Sequence, residues 1–355
     1  MQWMSSTGSD PTWIHLLPSE EETVNEFHLH EFFRVLYERQ RVFVKRHVLK
    51  EKAPWTEDPI LRDYKFTNVY RELDRNSQWE INNIIRNPNL SKIDLVWQIM
   101  LFRIFNRPEF FEYAHRIYAC YGTKKPEISI LPRYEEYDQL SFHNAINVFR
   151  ATGENPFTNA YLINSRACSD TGRDQCYGEH IIPTVHANIP ALFKLMMTAK
   201  DPAHIKDFLI QLPGVANFVA HEFYISFCYV EKYTDRRLFK WNENSWTNVG
   251  PGASLGIRLI FPSAKSTKEQ ELCIYRLRDI ADSYIHKHFP DFEFFNWNRD
   301  GVNPATGEKG MRYMSKGRSN LSLHQIEMFL CEYQKYWKMT LGVGKQRSKY
   351  TQRTN

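Results

Sequence analysis

The sequence predicts a mainly α protein. Apolar residues recur at helical spacing through most of the chain, no stretch shows the strict alternation that a large sheet requires, and no internal repeat is present. With 355 residues the chain can bury a substantial core, and the expectation is a single helical body over 25–340. Residues 1–24, rich in Ser, Thr, Pro and Glu, read as a flexible leader. Residues 341–355, with Lys345, Arg347, Lys349 and Arg353, read as a basic flexible tail.

From Asn25 to Lys50, Phe27, Phe32, Phe33, Leu36, Val44 and Val48 recur near helical spacing among Glu, Arg and Lys, which predicts a long amphipathic helix with room for one break. Pro54 and Pro59 bracket a turn. Helices are expected at 64–86 and 92–106, and one over 108–121 opens on Pro108, whose fixed φ suits a first helical residue. Residues 122–140, with Pro126 and Pro132, read as a connector before helices at 141–152 and 156–163. The stretch from Asn164 to Pro183 is polar and unpatterned, and predicts a surface loop. Helices follow at 188–199, 202–211, 216–230, 254–261 and 267–289, then a Gly/Asn/Arg-rich loop over 296–320 and a last helix at 322–338.

No run of about 18 apolar residues occurs, so no membrane span is expected. The formal net charge of +5 is compatible with an anionic partner without identifying one. Six cysteines scattered without CxxC pairs point to reduced thiols and a cytoplasmic protein. Cys168, Cys176, His180 and His186 form a metal-like group, but the spacing matches no standard zinc finger, and free surface or packing residues are the favoured reading. Gly342-Val343-Gly344-Lys345 lacks the first glycine and the Ser/Thr of a phosphate loop, since Met339 and Gln346 hold those places. No cofactor is therefore expected, and a divalent metal is compatible but not indicated.

Chemistry concentrates in four segments. Between Ile205 and Tyr229 an amphipathic helix runs into Leu212-Pro213-Gly214-Val215-Ala216 and a second apolar helix, the pattern of a helix-hairpin-helix module whose turn amides bind a DNA phosphate. An ordinary Pro-Gly helix stop is the alternative. No lysine lies between Ala216 and Phe227, which removes a Schiff-base glycosylase mechanism from that helix, while Asp235 or Glu243 could serve a monofunctional glycosylase. Second, if Tyr64–Arg75 is helical, Asn68, Arg71 and Arg75 form one stripe beside Asp74, able to hold a phosphate between arginine forks or to remain a solvated, ion-paired face. Third, Arg103, Asn106 and Arg107 stand at the end of a very apolar helix. Fourth, Gly250-Pro251-Gly252 offers exposed amides before a short helix.

Pro54-Trp55-Thr56-Glu57-Asp58-Pro59-Ile60-Leu61, the run Tyr64–Arg75, Phe102–Glu109, Leu212-Pro213-Gly214-Val215, Gly250–Ala253, Leu323–Glu327 and Cys331–Tyr336 stand in one order over roughly residues 30–338. This series resembles the alpha-glutamyl/putrescinyl thymine pyrophosphorylase family, the amino acid:DNA transferases of bacteriophage thymine hypermodification, whose related domain description mentions a hydroxymethyluracil DNA kinase. The chain departs from that pattern at Ala216, where a second hairpin glycine is usual, and at Glu243-Asn244.

The resemblance implies a helix-hairpin-helix, DNA-glycosylase-like helical fold, with the hairpin module at about 202–262. It also implies displacement of pyrophosphate from a 5-pyrophosphomethyl-uracil base in double-stranded DNA by the amine of an amino acid or polyamine. The expected catalytic residues are Arg71, Arg75 and Arg103 around the pyrophosphate, with Asp74 or Glu222 taking the amine proton. Lys65, Asn68, Asn106 and Arg107, with Gly214, Val215, Asn217, Gly250 and Gly252, are the expected contacts to substrate and DNA. A glycosylase and a non-catalytic reader of modified DNA are the competing expectations.

Overall fold

The computed structural model describes residues 24–113, 131–158, 172–291, 294–296, 312–314 and 321–343. The leader, most of the tail, Cys168 and residues 114–121 and 159–163 of two expected helices lie outside them. In chain order the elements are α1 (Glu26–Phe43), continued by a π-helical turn (Val44–Val48), then α2 (Pro59–Asp63) and a 3-10 turn (Arg71–Leu73). After them come α3 (Arg75–Glu80) with a second π-turn (Ile81–Ile85), α4 (Lys92–Phe105), and α5 (108–113 as described). Next stand α6 (Gln139–Ala151), α7 (Arg173–Cys176), a π-turn (Tyr177–Ile181), α8 (Ile182–Thr198), α9 (Pro202–Leu209) and α10 (Asn217–Tyr233). The chain closes with α11 (Pro251–Ile260), α12 (Thr267–His288), a short antiparallel pair β1 (Phe294–Asn296) and β2 (Arg312–Met314), and α13 (Leu323–Thr340).

The protein is mainly helical, as its periodicity predicts. Its helix starts carry local signals: Ser91 with Asp94, Ser266 with Glu269 and Ser322 with Gln325 form reciprocal capping boxes, each satisfying two amides that a helix start leaves open.

Three expected elements differ. Residues 64–70 do not form a helix, because side chains claim the backbone groups that a helix ladder would use. Arg39 donates to the Phe66 carbonyl and to Asn68 Oδ1, the Asn68 amide donates to Asp74 Oδ1, and the Thr67 amide donates to Glu332 Oε2. Asn68, Arg71 and Arg75 therefore share no helical stripe. Conversely, 173–183 is helical rather than a loop. Gly178 and Pro183 look like breakers, yet Gly178 sits where a Cβ would lie 2.4 Å from the His143 ring, so glycine there admits α6. Cys176, Tyr177, Ile181 and Ile182 are buried at a spacing that mixes α and π turns and escapes a simple 3.6-residue pattern. Of the helix expected at 156–163, residues 156–158 are not helical.

The chain sorts into two compact units: Met1–Asp74 with Thr247–Asn355, and Arg75–Trp246. The sequence suggests one body over 25–340, and its 202–262 module straddles the return point. In the first unit α1, α11, α12 and α13 surround Phe32, Phe33, Leu36, Ile257, Ile260, Ile274, Leu277, Leu330 and Tyr333. The crossing of α11 and α13 is so close that a Cβ on Gly256 would lie 2.4 Å from the Leu330 carbonyl oxygen. In the second unit α4 is its buried axis, with every residue from Asp94 to Phe105 inaccessible, packed by α8 and α10. The apolar character of α4 on all its faces thus marks a helix enclosed on all sides.

Candidate functional site

The second unit holds a cleft of about 530 Å³ lined by Arg75, Asn76, Asn106, Arg107, Glu109, Gly153, Glu154, Asn155, Phe157 and Thr158. Two helix ends build it. Arg75 and Asn76 open α3, while Asn106 ends α4 in the left-handed conformation (φ 47°, ψ 42°), which turns the chain so that Arg107 follows immediately. Asparagine tolerates that conformation better than most residues. Asn76 Nδ2 donates to the Asn106 carbonyl at 2.7 Å, tying the two ends together. Asn106 is 5% exposed, and its Oδ1 is buried without a hydrogen-bond partner.

The cleft's charges are paired. Arg75 meets Glu109 Oε1 at 2.5 Å, Arg107 lies 3.8 Å from Glu109 Oε2 and 2.5 Å from Glu154 Oε2, and Arg107 also donates to the Asn155 carbonyl. Partial burial works against ionisation of Glu109, but its own amide and the two guanidinium groups outweigh it and hold the carboxyl below the usual range. Both faces of Phe157 are occupied, by Phe105 stacked at 4.8 Å and by the Arg173 guanidinium at 4.1 Å, so it closes the wall.

The same unit holds a buried ionic quartet. Arg103 Nη2 is 2.7 Å from Glu80 Oε2, Nη1 is 3.3 Å from Glu222 Oε2, and Nε donates to Ser226 Oγ at 2.7 Å. Ser226 Oγ in turn donates to Glu80 Oε2 at 3.2 Å. Arg103 is 3% exposed and Glu80 0%. Burial raises the Glu80 carboxyl above its ordinary value, with Glu222 adding to the rise and Arg103 and Ser226 opposing it.

The sequence expectations therefore separate. Arg75, Asn106 and Arg107 come together in the cleft, whereas Arg103 and Glu222 are enclosed partners of each other. Asn76, Glu109, Glu154 and Asn155 join the site without having been expected there. Asn76 adjoins an expected arginine and Glu109 closes the Phe102–Glu109 run, but Glu154 and Asn155 carry no local signal.

In the first unit Arg71 Nη1 is 3.1 Å from Asp74 Oδ2. Burial raises the Asp74 carboxyl, with Glu332 helping, against Arg71, the Asn68 amide and Arg39. Lys65 is exposed. The Gly250 amide donates to Glu327 Oε1 at 3.3 Å, and a Cβ on Gly252 would meet Cys331 Sγ at 3.0 Å. This turn therefore gives one amide to the protein's own carboxylate and uses its second glycine for close packing.

At the hairpin, Gly214 takes φ 76°, the Val215 amide donates to the Leu212 carbonyl at 3.1 Å, and Asn217 opens α10. Glu243, a rival glycosylase carboxylate, is paired with Lys232 Nζ at 2.6 Å, and Asp235 is exposed. His186 Nε2 lies 2.7 Å from the Tyr134 carbonyl, with its ring stacked on Tyr134. Cys176 is disulfide-bonded, which corrects the expectation of reduced thiols throughout, while Cys228, Cys273 and Cys331 are free. Among the described residues no group of three or more His, Cys, Asp or Glu side chains could hold a metal, and no helix is long and apolar enough to cross a membrane.

A helical protein with an arginine-lined cleft and a separate buried ionic group is the class that this geometry defines. The chain belongs to the family described as 5-hmdU DNA kinase, helical domain, which it matches over residues 26–345. It is 25% identical over 315 residues to a 5-hmdU DNA kinase of Bacillus phage SP10, a match that covers 86% of this chain and 44% of that protein. The chain thus spans less than half the length of this curated relative. No solved structure matches it significantly.

Proposed function

We propose that this protein is a DNA base-hypermodifying transferase of a phage thymine-modification system, with a helix-hairpin-helix, glycosylase-like fold. Kinship with a protein named as a 5-hmdU DNA kinase supports a modified thymine in DNA as the substrate. The observation that carries the reading is the convergence of Arg75 and Arg107 on one carboxylate in a cleft large enough for a nucleotide-sized group. Two guanidinium forks held that close suit a pyrophosphate, which displaces Glu109 and Glu154 as their partner.

In the proposed reaction the extruded base carries a 5-pyrophosphomethyl group. The bond from the exocyclic carbon to the pyrophosphate oxygen breaks, and the electron pair leaves with pyrophosphate, whose charge the arginines stabilise. The amine of an amino acid or polyamine forms the new carbon–nitrogen bond and gives up a proton. Asp74, which adjoins Arg75 in the chain and faces Arg71 Nη1 at 3.1 Å, is the proposed acceptor. DNA contacts are assigned to Lys65 and to the hairpin at Gly214, Val215 and Asn217. Gly250 and Gly252 serve the α11 turn.

Incubation with DNA bearing the pyrophosphorylated base and a mixture of amines, followed by nucleoside mass spectrometry, tests the reaction. Added amine mass is the expected product, and base loss would instead favour a glycosylase. Replacing Arg75 and Arg107 with Ala should lower transfer by about 10- to 150-fold for each charge-assisted hydrogen bond removed. A second reading has its own support, because the chain corresponds to the helical part of a longer kinase: a base-recognition module acting without chemistry. An unchanged nucleoside with selective binding of the modified DNA would favour it.

A further inference from the structure

The buried quartet joins the same two segments that build the cleft. Arg103 stands three residues before Asn106 at the end of α4, and Glu80 closes the short helix that Arg75 and Asn76 open. Both side chains are anchored on α10, where Glu222 and Ser226 are four residues apart and therefore on one face. Three different guanidinium nitrogens address three different side chains, which fixes the direction of the fork as well as its distance.

Stability alone is a weak reason for such a group. Enclosed ion pairs generally do no better than well-packed apolar side chains of similar volume, and here one guanidinium serves two carboxylates. Geometric definition is what the fork supplies and apolar packing does not. A small rotation of α4 against α3 would carry Arg107 and Glu109 together away from Arg75 and lose the spacing between the two cleft arginines.

Building on the reading of the cleft as a pyrophosphate site, we propose that Arg103 is its positioning residue, acting through Glu80, Glu222 and Ser226 to hold Arg75 and Arg107 at the separation that grips a diphosphate. Glu222 then belongs to the brace and takes no proton from the amine. Lysine cannot replace Arg103 in this role, because its three donors radiate from one nitrogen and lack the planar spread of the guanidinium.

The test uses the full chain and two variants: Arg103→Lys, and an apolar replacement combining Arg103→Met, Glu80→Leu, Glu222→Leu and Ser226→Ala. Calorimetric titration with inorganic pyrophosphate and with inorganic phosphate gives the ratio of the two affinities, and thermal melting reports the fold. The wild type should prefer pyrophosphate. In the apolar variant the preference should fall by about 10-fold or more while the melting temperature is kept, the size expected when one charge-assisted hydrogen bond is removed. Should that variant not fold, Arg103→Lys carries the test with the same expected loss of preference. Transfer assays should show kcat and kcat/KM falling together, because the arginines act on the departing charge. A folded variant that keeps the wild-type preference overturns this proposal alone. A wild type that binds no pyrophosphate overturns the functional reading together with it.

Discussion

Replacing Arg103 with Met strips the guanidinium from Glu80 and Glu222 and leaves their carboxylates in a site closed to water. Both acids are buried, and Arg103 itself is 3% exposed, so solvent screening does little to soften the loss. Breaking a buried pair by removing one partner costs about 3–5 kcal/mol. For a unit of this size that corresponds to a fall in melting temperature of about 6–20 °C.

The sign of the pH dependence follows from Glu80. Its folded pKa already lies above the ordinary 4.5, through burial first and Glu222 second, and Arg103 is the strongest force holding it down. Without Arg103 it rises further. The folded variant then retains a proton that the unfolded chain has released, so its stability is fullest below the ordinary value and is lost as pH climbs through the folded one. Melting followed by far-UV circular dichroism at about pH 5 and about pH 8 should show the larger deficit at the higher pH. Adding Glu80→Gln should return part of the loss at the higher pH. A deficit equal at both pH values, or one below about 2 °C, would refute the reasoning about an uncompensated buried charge.

Gly256→Ala should cost about 1–3 kcal/mol, because its Cβ would press on the Leu330 backbone rather than on a yielding side chain; an unshifted urea midpoint would count against the close α11–α13 approach. Gly214→Ala, at φ 76°, should cost about 1–2 kcal/mol in the same measurement, and a neutral result would remove the left-handed hairpin turn. Asn106→Gly should hold or raise stability, since glycine keeps the turn and removes a buried unpaired oxygen, whereas Asn106→Val should lower it by about 1–2 kcal/mol. If Asp74 accepts the amine proton it must be ionised, so transfer should fall as pH drops through its raised pKa, above the ordinary aspartate value of 3.8. Asp74→Asn should abolish that acid limb along with most of the rate, and a variant that keeps both would exclude this role.

Much of the helical frame is legible because it is written in local terms. The i, i+3, i+4 spacing of α1, the Ser91/Asp94 box before α4, Pro108 opening α5 and the Leu-Pro-Gly-Val turn before α10 all act within a few residues of themselves. Residues 64–70 mislead because the groups that unwind them, Arg39 and Glu332, lie far away in sequence. The site divides in the same manner. Asn106 and Arg107 announce themselves as polar residues at an apolar helix end. The enclosure of Arg103 by Glu80 and Glu222 depends on separations of 23 and 119 residues, and no window along the chain reports it. Likewise, the glycine-rich turn at 250–252 looks like an anion cradle until Glu327, 77 residues on, supplies the acceptor.

The chain leaves its first unit after Asp74 and rejoins it at Thr247, which bears on how the molecule comes into being. The segment between those points is continuous and can close its own core as soon as it is synthesised. The remainder must wait, since α1 packs against α11 and α13, and the last of these emerges from the ribosome some three hundred residues after the first. Nascent α1 therefore waits for α11 and α13 with Phe32, Phe33 and Leu36 unburied, a demand on chaperones that a protein with uninterrupted units escapes.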